Sequence, residues 1–206
     1  MQSARGLETV LRLVERISQA AAILGGLAVI GVAVIVCAEV LLRNVFSFGL
    51  SAATELSSYV LAVTSAWAFS YALLRRVHVR VDALIRLFPQ SVIAWLDLLA
   101  LLALTWLASM MLWYGASVFW FSFVKSSTAM TPLQTPMWIP QGLWLLGLGL
   151  FFITCVTMAT VVVRCLIKGD AAQVNRLVGS FTVEEEALDE IEDARRRETE
   201  RAGTRP

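Results

Sequence analysis

The chain has 206 residues, of which 58% are hydrophobic and only 16% charged, and its apolar residues are gathered into long runs. A soluble globular domain is therefore excluded, and an all-α membrane protein is expected. The formal net charge of +1 argues against a nucleic-acid partner, because backbone recognition needs a clustered excess of Lys and Arg on one face.

A hydrocarbon core of roughly 30 Å is crossed by about 20 mainly apolar residues in helical form. Four segments meet that requirement, at about residues 20–42, 56–74, 92–118 and 143–163, which predicts a four-helix transmembrane domain over 1–168. The first span follows Arg5, Arg12 and Arg16 and ends at Arg43. Its apolar stretch exceeds that of a secretion signal, and Glu39-Val40-Leu41-Leu42-Arg43 offers no small-x-small cleavage site, so the span is expected to be retained. Glu39 lies four residues before Arg43, a spacing that favours a helical ion pair over a substrate site.

Glu55 follows Ser51 and Thr54 at the start of the second span, where a carboxylate complements the positive end of a helix. Ser58, Ala62, Ala66 and Ser70 then recur every four residues, a small-residue stripe that lets another helix approach closely. The span ends in Arg75-Arg76-Val77-His78-Val79-Arg80-Val81-Asp82, a basic cluster holding the single histidine. Val81, Leu84, Ile85 and Phe88 fall at helical spacing before Pro89, which predicts a short interfacial helix between the second and third spans. Asp82 would cap its first turn, and Arg75, Arg76 and Arg80 would meet anionic headgroups. His78 is either an interfacial residue bonded to nearby backbone or a contact to another subunit.

The third span is longer than a membrane requires. From Val92 to Val124 the sole formal charge is Asp97, and about 1.5 Å per residue gives roughly 50 Å of helix. The helix must tilt, bend near Gly115, or project. Asp97 is costly in hydrocarbon and is expected to pair with Arg75, Arg76 or Arg164 reaching down from the cytoplasmic edge. Trp113, Tyr114, Phe119, Trp120, Phe121 and Phe123, followed by Trp138 and Trp144, form a thick interfacial belt facing lipid headgroups or another protein. Pro132, Pro136 and Pro140 deny residues 130–140 a regular helix and predict an ordered or semi-extended outer loop, with Pro140 able to sit in the first turn of the last helix.

After Gly169 the chain changes character. Glu184, Glu185, Glu186, Asp189, Glu190, Glu192 and Asp193 precede Arg195, Arg196 and Arg197, so residues 169–206 read as a charged C-terminal tail with a solvated helix. Basic residues flank the spans unevenly: the N-terminal segment, the middle connection and the C-terminal flank are rich in them, whereas Arg43 and Lys125 stand alone in the other two connections. The positive-inside rule then places both termini in the cytoplasm.

Several activities lack their residues. One histidine cannot supply two axial haem ligands, and no phosphate loop, paired carboxylates or spaced metal-ligand set appears. Cys37, Cys155 and Cys165 form no disulfide framework. The chain is expected to be no enzyme and to hold no cofactor. Few polar groups lie near mid-membrane and no internal repeat is visible, so an accessory membrane subunit is favoured, with a self-associating four-helix channel or exporter as the alternative.

The string Arg43-Asn44-Val45-Phe46, then Glu55-Leu56, then Arg75 to Asp82 followed by Leu87-Phe88-Pro89, resembles the small permease subunit of tripartite ATP-independent periplasmic (TRAP) transporters, the DctQ-like family. It departs from the family pattern at Ala52-Ala53, where a tryptophan is usual, and at Val77, where a glycine is usual. The resemblance implies a scaffold subunit of a secondary transporter in the bacterial inner membrane, importing an organic anion with a large permease subunit and a periplasmic solute-binding protein. It also implies that the substrate and coupling-ion sites, usually for sodium, lie in the large subunit. Arg43, Glu55, Arg75, Arg76, His78, Arg80, Asp82 and Asp97 are then candidates for structural or partner contacts.

Overall fold

The computed structural model describes residues 2–46, 52–75, 90–131 and 133–167. They form four helices, α1 (Gln2–Phe46), α2 (Ala52–Leu74), α3 (Gln90–Val124) and α4 (Trp138–Ile167), with no extended strand among the described residues. All four are long and apolar enough to cross a membrane. The predicted interfacial helix at 81–88 and the charged tail at 169–206 lie outside the described residues.

Each span satisfies its backbone within the helix, as hydrocarbon demands. The hydroxyls inside the spans follow the same logic. Ser65 donates to the Leu61 carbonyl at 2.7 Å, Thr105 to Leu101 at 2.7 Å, and Thr154 and Thr157 to Leu150 and Ile153 at 2.8 and 2.7 Å. These residues cross the membrane without needing a polar neighbour.

The hub is α4. It packs against α2 and α3 and more briefly against α1, whose main neighbour is α2. Over the most apolar stretch of each helix, 56% of α4 residues are buried, against 28% in α3, 17% in α2 and 11% in α1. The core joins Leu73, Ala94, Leu98 and Leu101 to Phe151, Cys155, Met158 and Val162.

Glycines and small residues set the helix registers. A Cβ on Gly147 would collide with the Trp67 ring and lie 3.0 Å from the Ala66 carbonyl carbon, so α2 and α4 touch almost backbone to backbone. Trp67 then donates its indole N–H to the Leu143 carbonyl at 2.9 Å, fixing the same register. Gly115 meets Trp144, where a Cβ would lie 2.9 Å from the ring, and Gly142 meets Phe119, so α3 and α4 run antiparallel. Gly115 is therefore a close-packing point inside a continuous α3. At about 1.5 Å per residue the 35 residues of α3 extend roughly 52 Å.

The small-residue stripe on α2 is used in part: Ala66 and Ser70 are fully buried, whereas Ser58 and Ala62 are exposed. Steps of four residues drift about 40° around a helix with 3.6 residues per turn, so the stripe leaves the contact face over its length.

Candidate functional site

The polar groups gather at the end that carries the 125–137 connection, here called the loop end. Glu55 stands in the first turn of α2, only 8% exposed. Its Oε1 accepts a hydrogen bond from the Tyr59 hydroxyl at 2.8 Å, one turn along the helix, and Tyr59 also approaches Met137 Sδ at 3.7 Å. The hydroxyls of Thr131 and Thr135 face the same carboxylate. Glu55 Oε2 and both threonine oxygens are nevertheless buried without a hydrogen bond of good geometry. The loop is thus draped over a buried carboxylate, and Glu55 does more than complement a helix dipole.

Backbone bonds hold the loop in one shape. Ser127 N–H donates to Ser122, Ala129 to Thr135, Gln134 to Thr131 and Met137 to Ser127, each at 3.0 Å. Ser126 and Gln134 take positive φ values of 47° and 45°, conformations that non-glycine residues adopt only when their surroundings impose them. The expected ordered loop is present, and Pro140 sits in the first turn of α4.

The opposite end, here called the elbow end, holds Asp97 and Arg75. Asp97 is 4% exposed on α3. Extending the register set by Gly115 and Gly142, position 97 falls level with Val162–Arg164 of α4. Arg75 lies over the Tyr71 ring at 5.4 Å. Arg43, in the last turn of α1 and so at the loop end, is exposed and forms no ion pair with Glu39, which is itself 7% exposed. Arg76, His78, Arg80 and Asp82 lie outside the described residues.

The structure therefore divides the described candidates between two ends and assembles no single site from them. Among the described residues no group of three His, Cys, Asp or Glu side chains could hold a metal ion. Tyr59, Thr131 and Thr135 escaped sequence reasoning. The Glu55–Tyr59 pair was readable from its four-residue spacing, but nothing in the sequence brings two threonines from another connection onto it.

Four helices long and apolar enough to cross a membrane, packed round α4, describe a multi-pass membrane protein. The family model described as "Tripartite ATP-independent periplasmic transporters, DctQ component" matches residues 32–166. The chain belongs to that family, and is thus a component of a transporter rather than a member of an enzyme family. Neither the curated proteins nor the solved structures offer a significant match.

Proposed function

We propose that this chain is the small scaffold subunit of a TRAP-type secondary transporter that imports an organic anion across the bacterial inner membrane. The family match over residues 32–166, which covers all of α2 and α3, carries this reading. In it the chain acts with a large permease subunit and a periplasmic solute-binding protein, and sodium coupling belongs to the large subunit. Both termini face the cytoplasm, in keeping with the basic residues of the N-terminal segment, the 75–86 connection and the C-terminal flank. The loop end then faces the periplasm and the elbow end the cytoplasm.

The division of the polar groups suits a static part. Glu55 fixes the outer connection, and Asp97 and Arg75 lie near the cytoplasmic elbow, where Arg76, His78, Arg80 and Asp82 would join two scaffold helices and contact the large subunit. Arg43 would lie beside the outer headgroups. The test is co-purification of the tagged chain from its native membrane, followed by reconstitution with and without the captured large subunit. The expected result is capture of a large permease subunit, and uptake in liposomes only when that subunit and the solute-binding protein are added. A chain that purifies alone as an oligomer and moves solute unaided would be a channel or exporter, and the scaffold reading would fail.

A further inference from the structure

The loop end of α3 has a face that no other described helix covers. α3 turns Gly115 and Phe119 toward α4. At 100° per residue, the opposite side carries Trp113, Ser117, Trp120, Phe121 and Val124, which with Lys125 just past the last turn line an open depression of about 620 Å³. Trp113 is 73% exposed and Trp120 66%. The Ser117 hydroxyl is spent on the Trp113 carbonyl at 3.0 Å, so Lys125 is the charged group that this surface offers. Among the described residues no ion pair engages Lys125, and the one acidic residue of α3, Asp97, lies at the other end of the helix. From Trp113 to Lys125 the face runs about 18 Å, close to half of a roughly 30 Å hydrocarbon core. A cation above an apolar aromatic wall one leaflet deep matches an amphiphile with an anionic head and a straight hydrocarbon tail.

We propose that this face binds an anionic phospholipid of the leaflet at the loop end, with its phosphate on Lys125 and one acyl chain laid along Trp113, Trp120 and Phe121. The full-length chain is equilibrated in micelles containing equal phosphatidylglycerol and phosphatidylcholine, and the retained lipids are counted by native mass spectrometry. The wild-type protein retains phosphatidylglycerol over phosphatidylcholine by about fivefold, the factor equivalent to ~1 kcal/mol for one basic residue at an anionic surface. Lys125→Gln brings the ratio to about one with helix content unchanged by circular dichroism. The double variant Trp113→Ala, Trp120→Ala lowers retention of both lipids and leaves the ratio in place. Absence of a headgroup preference in the wild type, or an unchanged ratio in Lys125→Gln, overturns the proposal. So does a photo-crosslinker at position 113 that captures a protein rather than lipid in native membranes, since the face would then belong to a protein partner.

Discussion

α1 and α4 are similarly apolar over their most apolar stretches, yet 11% of one and 56% of the other is buried inside the chain. Hydropathy reports the solvent a helix lives in and says little about its protein neighbours. Lipid tails are as apolar as leucine, so helices associate in a membrane through close packing and polar contacts rather than through hydrophobicity. α4 has Gly147 against Ala66 and Trp67, Gly142 against Phe119, and Thr154 fully buried. On α1, Gly25 meets Thr64, whereas Gly26 and Gly31 face open space.

The largest break in that comparison comes from Gly147→Leu. The added side chain must displace Trp67 and meets the Ala66 backbone, which cannot swing aside as a side-chain tip would. A loss of roughly 3 kcal/mol is expected, with separation of α2 from α4. Thermal unfolding of the purified chain in detergent reads the stability. A cysteine pair placed across the α2–α4 contact reads the separation as lost cross-linking. An unchanged midpoint would mean that α4 is not the hub.

Glu55 gives the next effect, because it holds the loop rather than a helix pair. Glu55→Ala leaves the Tyr59 hydroxyl without its acceptor and removes the carboxylate that Thr131 and Thr135 face. About 1–3 kcal/mol is expected for a buried polar group left unpaired. Glu55→Gln keeps an acceptor for Tyr59 and loses less. Limited proteolysis in the 126–137 connection should accelerate in Glu55→Ala and stay near wild type in Glu55→Gln; equal rates in all three proteins would detach the loop from this carboxylate.

Trp67→Phe follows. It retains most of the ring that fills the space beside Gly147 and deletes the N–H donated to the Leu143 carbonyl. Hydrogen bonds between membrane helices contribute about 0.6 kcal/mol on average, so a small but measurable drop in the unfolding midpoint is expected.

How much of this was legible follows from the physics of each feature. The four crossings were legible because runs such as Val92–Val124 have no other reading at their length. Pro140 announced the start of α4, because proline belongs in a first helical turn. The helix order round α4 was not legible, since Gly147 and Gly149 look alike in sequence and only one of them touches α2. The Glu39–Arg43 spacing suggested an ion pair that does not form, because a four-residue spacing permits contact without compelling it. At Glu55 the sequence supplied one partner, Tyr59, and hid the threonines, which arrive from a connection more than seventy residues away.

The smallest expected effect sharpens the comparison most. Gly26→Ala on α1 and Gly149→Ala on α4 both add a methyl group where no heavy atom lies within 4 Å. If burial were a property of whole helices, the change on the hub would cost far more than the change on the periphery. Packing is instead local: Gly149 lies two residues beyond Gly147, about 200° round the helix, where it lines a groove between α3 and α4. Both variants should therefore unfold within about 0.5 kcal/mol of wild type. A clear loss in Gly149→Ala alone, read by thermal unfolding of the purified chain, would mean that α4 is packed on every side and that the α3–α4 groove closes in solution. Equal, near-zero effects would tie the rigidity of the hub to a few contacts, chiefly Gly147 on Ala66 and Trp67, and leave its remaining surface open.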